Sequence, residues 1–410
     1  MKYVYSSLVF SFASVFLFSN IAFAGNLIIN SMHSDPTAKK AFNSVVELFE
    51  KENPDVKVTV NTTSHESYKI QIRTWLPSKA PDIATWFAGN RAKFFVEKGL
   101  VEPIDDIWKN ISKDFPEGIQ KAVTFDGKKY LLPTSYYHWG FYYRKDLFEK
   151  AGIKSTPKTW KEFLSAVKAL SKSGVTPITI GTKNAWPAAA WFDFLNMRVN
   201  GYDYHMSLLD GKAKYTDDQV KNTMKSWAEL VSLDAYNKSH PSLSWQEAMA
   251  LMWQGKAAMY LMGNFISTEI PKDLESKVGF FRFPKFEGSK EMAEVAPTDV
   301  YFIPSKAKNK KDAKKFIEFL ARPKTQSIIN GISRLIPPNS KAEIDNKDRF
   351  LTAGVETLKS ATAVSQFFDR DAHPQVAKAG MDGFVEFMLY PDRSSKILKN
   401  IERVRKRVHR

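Results

Sequence analysis

Trp86, Trp139, Trp186 and Trp191 each stand beside turn residues or at the end of a strand-like run, with an amide, acid or guanidinium nearby in sequence. That pairing suits one kind of recognition. An indole plane covers a patch of C–H groups by apolar contact, while Asn, Asp, Arg and His bond a rim of hydroxyls. A sugar ring presents both surfaces. One tryptophan alone is ordinarily a packing residue, since aromatics dominate cores, so the signal lies in the cluster. Trp108, Trp160 and Trp227 read as helix or packing residues.

Catalytic chemistry leaves no comparable mark. The chain has no G-x-S-x-G, Walker A, H-E-x-x-H or G-x-G-x-x-G motif, and no cysteine. Its 7 histidines are scattered without ligand spacing. Asp105-Asp106 and Asp217-Asp218 sit at helix starts, where acids stabilise free N–H groups. A glycosidase needs two carboxylates facing one bond, and nothing singles out such a pair. No metal site and no cofactor is expected. Tyr136, Tyr137, Tyr142 and Tyr143 offer phenolates to a ferric ion, but tyrosine is also a good strand former and packing explains them.

The N-terminus sets the expected compartment. Lys2, an apolar run over residues 8–18 and Ala22-Phe23-Ala24 have the layout of a secretory signal peptide, with cleavage after Ala24. With no cysteine at the cut, no lipid-anchored thiol can form, and a free periplasmic protein is expected. The remaining chain is long enough for two domains. The net charge is +16, but the basic residues are mostly dispersed among acidic neighbours. Arg403 to Arg410 is the densest basic run and reads as a solvated helix end, where cations suit the helix dipole. No nucleic-acid partner is expected.

The positioning elements follow from periodicity. Residues 26–30 form a short apolar strand, residues 37–51 a helix with Phe42, Val45, Val46 and Phe49 on one face, and Val56, Val58 and Val60 alternate as a strand. This β-α-β unit implies a parallel sheet covered by helices. Thr159-x-x-Glu162, Thr216-x-x-Gln219 and Ser244-x-x-Glu247 read as capping boxes opening later helices. The fold class is α/β in two lobes.

Several segments, taken in order, resemble the extracellular solute-binding proteins of carbohydrate ABC transporters. They are Phe49 to Val58, Ala80-Pro-Asp through Arg91, Leu132 to Phe148, Pro157-Lys-Thr-Trp-Lys-Glu-Phe163, Gln254-Gly-Lys-Ala-Ala-Met259 with Gly263-Asn-Phe265, Ala313 to Leu320, and Arg334 to Pro338. The resemblance implies a periplasmic-binding-protein fold. Its N-terminal lobe would be 25–134 with 279–333, and its C-terminal lobe 135–278 with 334–410. A sugar would bind between the lobes and be released to a membrane permease after hinge closure. The resemblance also implies a monomer that performs no chemistry on its ligand and is not embedded in the membrane.

It further implies binding residues. Trp86 matches a stacking position, with Asn90 and Arg91 bonding hydroxyls in the same loop. His33 follows the first strand, where a ligand contact and simple loop solvation are both open. Tyr136, Tyr137 and Trp139 flank the first crossover, and side-chain alternation lets only some of them face the cleft. Asn184 and Trp186 follow a strand, and Trp191 either joins them or packs on its helix. Asn264 and Phe265 match a motif that usually carries Trp where Phe265 stands, so stacking survives and an indole donor is lost. Asp299 can accept two hydroxyl bonds, Arg334 sits at the return crossover, and Asp369 and Arg370 follow an aromatic pair. The rival readings are a secreted carbohydrate-cleaving enzyme, a ferric-ion carrier and a binder of an anionic sugar or phosphate ester.

Overall fold

The computed structural model describes residues 25–289 and 291–409; the expected signal peptide, 1–24, lies outside them. In chain order, the elements that build the site begin with β1 (Gly25–Ser31), α1 (Pro36–Glu52), β2 (Val56–Thr62), α2 (His65–Trp75), β3 (Ile83–Phe87) and α3 (Asn90–Val96). Next come β4 (Leu132–Tyr136), β5 (Trp139–Arg144), α4 (Trp160–Lys172), β6 (Thr176–Ile178), α5 (Trp186–Asn200), α6 (Trp245–Trp253), β7 (Ala257–Gly263) and β8 (Val278–Phe281). The chain then runs through β9 (Thr298–Phe302), α7 (Phe368–Asp371), α8 (Pro374–Leu389) and α9 (Ser394–Val408).

Two sheets carry two separate cores. The first has the order β2-β1-β3-β9-β4; β1 is parallel to β2 and β3, and β9 is antiparallel to both its neighbours. Its core gathers Leu27, Ile29, Phe49, Ile72, Trp86, Phe302 and Phe316. The second sheet has the order β8-β5-β7-β6, and its core gathers Phe141, Phe163, Trp191, Phe192, Trp227, Phe283 and Phe384. Phe281, Phe283, Ala293 and Val295 belong to this second core. Residues 279–289 and 291–296, placed with the first lobe in the sequence reading, therefore go with the second, because β8 pairs with β5.

The chain crosses between the sheets at adjacent points: from β4 to β5 through Tyr137-His138, into β9 at Thr298, and past Ile336. Tyr136 and Ile336 exchange backbone hydrogen bonds of 3.0 Å each, and Thr298 is the register partner of Tyr136.

Local signals explain the helix starts. Thr159 and Ser244 each make a complete capping box with Glu162 and Glu247. The expected box at Thr216 does not form, because the helix Asp218–Val231 starts one residue later, with Asp217 as its N-cap. Trp86 was expected in a loop but lies on β3, and Trp186 opens α5. Among the described residues no helix is long and apolar enough to cross a membrane.

Burial sets the acid response. All 7 histidines have pKa values below the ordinary imidazole value, with burial the largest cause in each; His138 and His205 fall to about 3 and His240 to about 4. Asp35, Asp193 and Asp371 are raised by burial, Asp371 to about 6, and act in the opposite sense. Below about pH 6.5 the unfolded chain takes up imidazole protons that the folded chain refuses, and more groups act this way than oppose it. The melting temperature should therefore fall steadily from about pH 7.5 to about pH 5. A flat profile over that range would contradict the buried, neutral histidines.

Candidate ligand-binding cleft

Parallel pairing brings the C-terminal ends of β1, β2 and β3 to one edge of the first sheet, where open α/β sheets place ligand sites. His33 and Asp35 follow β1, His65 opens α2, and Phe87 ends β3. In the second sheet β5 and β7 are antiparallel, with Trp139 opposite Gly263. The start of β5 and the end of β7 thus share an edge, and Phe265 follows directly. The segment after β6 brings Asn184 and Trp186 to the cleft, and α6 starts there with Trp245.

These edges line a cavity of about 430 Å³ between the two cores. One wall is aromatic. Trp139 meets Trp186 edge-on at 6.0 Å between centroids and Phe367 at 4.9 Å, while Phe265 lies 5.5 Å from Tyr137 and 5.2 Å from Trp245. The Trp139 indole N–H is buried without a hydrogen-bond partner among the described residues. A donor left that way is costly unless something accepts from it.

The other wall is polar and tied together. Arg370 Nη1 donates to Asp299 Oδ1 (2.9 Å) and Nη2 to the Tyr137 hydroxyl (2.8 Å), and the guanidinium lies 4.1 Å from the Phe87 ring centroid. Arg91 Nη1 donates to Asp369 Oδ2 at 2.7 Å. Lys69 pairs with Glu66 at 2.8 Å and reaches Asp369 at 3.9 Å. His33 Nε2 is 2.9 Å from the Tyr301 hydroxyl. At the mouth, Gln246 Nε2 donates to Asp35 Oδ1 at 3.2 Å, linking α6 to the cap of α1.

Burial lowers the His33 pKa, partly opposed by Asp299. It lowers that of His65 further, with Lys69, Arg370, Arg91 and His33 adding to the effect. Both imidazoles are therefore neutral at neutral pH and offer one donor and one acceptor each. Burial alone would raise the Asp369 pKa, but Arg91, Lys69 and Arg370 outweigh it and hold the group ionised. Burial raises the Tyr137 pKa, so its hydroxyl stays protonated.

The model for the bacterial extracellular solute-binding proteins matches residues 33–327. The chain belongs to this family. An uncharacterized ABC transporter extracellular-binding protein of Pyrococcus horikoshii is 29% identical over 331 residues, 79% of this chain and 74% of that one. The structure of the bacterial solute receptor AcbH, described as having an exclusive substrate preference for b-D-galactopyranose, superposes with a TM-score of 0.89 at 29% identity, covering 94% of this chain and 99% of AcbH. A chitin oligosaccharide binding protein superposes with a TM-score of 0.86 at 26% identity, covering 93% and 98%.

In this solute-binding protein the cavity is lined by His33, Tyr137, Trp139, Asn184, Trp186, Phe265, Asp299, Asp369 and Arg370. Five other residues expected there stand elsewhere. Trp86 is 1% exposed inside the first core, because alternation on β3 turns Phe87 to the cleft and Trp86 away. Arg91 is consumed by Asp369. The Asn90 amide donates to the Asp371 carbonyl at 2.7 Å, which bridges the lobes without reaching the cavity. Asn264 is fully buried and accepts from the Tyr142 hydroxyl at 2.5 Å. Arg334, left-handed at φ 55°, pairs with Asp348 at the crossover. Trp191, the open case, packs in the second core against Phe141 and Tyr236. The tyrosines of the ferric reading do not converge: Tyr137 lines the cavity, Tyr142 is buried beside Asn264, and Tyr143 packs on Phe148.

Sequence reasoning missed His65, Lys69, Phe87, Trp245, Gln246 and Phe367. His65 and Phe87 had a usable signal, since one follows and the other ends a strand parallel to β1, and so both share the edge of His33. Trp245 lies inside the Ser244-x-x-Glu247 box, a segment that reads only as a helix start.

Proposed function

We propose that this protein captures an uncharged mono- or short oligosaccharide in the cleft and delivers it to a membrane permease after export through a cleaved signal peptide. One observation carries the reading. The buried, unpartnered Trp139 donor lies within an aromatic wall that faces a wall of fixed hydrogen-bonding groups. Such a site offers rings to a sugar's C–H face and acceptors and donors to its hydroxyls. AcbH, described as preferring b-D-galactopyranose, and the chitin oligosaccharide binding protein support the same class of ligand. The volume falls within the range of small-molecule sites, about 300–1,000 Å³. Lobes formed by 25–134 with 298–333, and by 137–296 with 334–409, would close on the ligand by bending at the crossovers.

Charge argues for an uncharged ligand. The chain carries +16, yet the cavity holds Asp35, Glu66, Glu269, Asp299 and Asp369 against Lys69 and Arg370, with both histidines neutral. A sugar phosphate or uronate would meet excess negative charge in a desolvated site.

A thermal-shift screen tests the proposal. Neutral sugars supplied far above their dissociation constants should raise the melting temperature, whereas phosphorylated and carboxylated sugars should not. The sugar should be recovered unchanged; new products would establish the enzyme reading. Trp186, half-buried at the start of α5, gives the cleanest variant. Trp186→Ala should weaken sugar binding by about 2 kcal/mol, or about thirtyfold, in calorimetric titration. Unchanged affinity would remove the aromatic wall from the site.

A further inference from the structure

Helix α9 has two unlike faces. Ile397, Leu398 and Ile401 are buried, and the neighbouring Glu402 and Arg405 are paired at 2.7 Å. On the other face Lys396, Lys399, Arg403 and Lys406 follow at steps of three, four and three residues, which sets them in one stripe along the helix. All four are exposed, and none makes an ion pair among the described residues. No exposed residue of α9 is acidic.

The helix dipole does not account for this stripe. It favours cations in the last turn only, and near the N-terminus of the helix it disfavours them. Lys396 and Lys399 stand in the first two turns. Before them, Leu389 ends α8 and Tyr390 follows it in the turn, 42% and 47% exposed, where most other large apolar side chains are buried. Arg393 covers the Tyr390 ring at 4.1 Å.

We propose that this face docks the protein on a bilayer surface rich in anionic phospholipid. A helix face with one row of exposed cations can meet a plane of phosphates, and although Asp382 and Glu386 of α8 share a groove with Lys396 and offset part of its charge, each cation adds to the attraction within a Debye length. Tyrosine and leucine beside such cations settle at the boundary between headgroups and chains. Docking would keep a carrier near the membrane without anchoring it there.

Co-sedimentation of the purified protein with vesicles tests this. Binding should be present with vesicles of phosphatidylglycerol and phosphatidylcholine, absent with phosphatidylcholine alone, and lost at about 0.5 M salt. The combined Lys396→Glu, Lys399→Glu, Arg403→Glu and Lys406→Glu variant should bind about tenfold more weakly or worse. A control with Lys161→Glu, Lys168→Glu, Lys172→Glu and Lys225→Glu makes the same charge change on exposed residues elsewhere and should bind as before. Leu389→Ser with Tyr390→Ser should weaken binding about threefold or more. The pair Lys399→Glu and Arg403→Glu serves if the fourfold variant loses its native melting transition. Equal loss in stripe and control variants, binding to neutral vesicles, or capture by soluble polyglutamate in preference to vesicles would each overturn the proposal.

Discussion

Trp86→Ala should destabilise the protein by about 3–5 kcal/mol in urea unfolding while leaving the folded fraction's sugar affinity within about twofold of the parent. The indole is 1% exposed and surrounded by Tyr68, Phe87 and Phe95 at centroid distances of 6.2, 4.9 and 5.4 Å. Its N–H donates to the Arg91 carbonyl at 3.4 Å, and the Arg91 guanidinium lies 5.2 Å from its ring. Truncation removes the packing of a large side chain and leaves a void that a sheet between two helix layers closes poorly. A large loss of affinity with an unchanged unfolding midpoint would put Trp86 back in the cleft.

Removing Arg91 should have an effect of similar size for a different reason. Arg91→Leu leaves the Asp369 carboxylate buried without its closest cation. Breaking a buried pair from one side costs about 3–5 kcal/mol. The lower end is expected here, because Lys69 lies at 3.9 Å and Arg370 still acts on the same group. Adding Asp369→Asn should recover much of the loss, a coupling that a double-mutant cycle measures directly. The pH dependence has a definite sign. Asp369 has a folded-state pKa below its unfolded value, so its contribution is present above the unfolded carboxylate range and disappears as pH falls through the folded pKa. Arg91→Leu should flatten that part of the acid profile; an unflattened profile with full stability would mean that the pair contributes nothing.

Both variants mark the boundary of what the sequence carries. The β-α-β start and the capping boxes at Thr159 and Ser244 follow from periodicity and cap chemistry, which act over a few residues, whereas the crossover near Tyr136 is implied only by the family resemblance. The aromatic wall was legible because Trp139, Trp186 and Phe265 adjoin strand or helix ends. The error at Trp86 is a matter of one residue: period-two alternation on a strand buried on both faces leaves no polar–apolar contrast to tell Trp86 from Phe87. The Arg91–Asp369 pair joins residues 278 positions apart, and no local pattern predicts that an exposed-looking arginine will be consumed there. Lys69 was invisible for the same reason, since its stem is buried by a partner from the far end of the chain.

The crossovers have a mechanical consequence. Tyr136, Ile336 and Thr298 lie side by side and are joined by backbone pairing, so the separate threads form a single flexible strap. A strap bends easily across its width but resists shear and twist, because neighbouring threads would have to slip past one another and break their shared bonds. Under the proposed closure, relative motion of the lobes would thereby be reduced to one soft coordinate. Each lobe would then act as a lever arm on that strap, and a bend of a few degrees at Tyr136 would become a larger displacement where Gln246 meets Asp35.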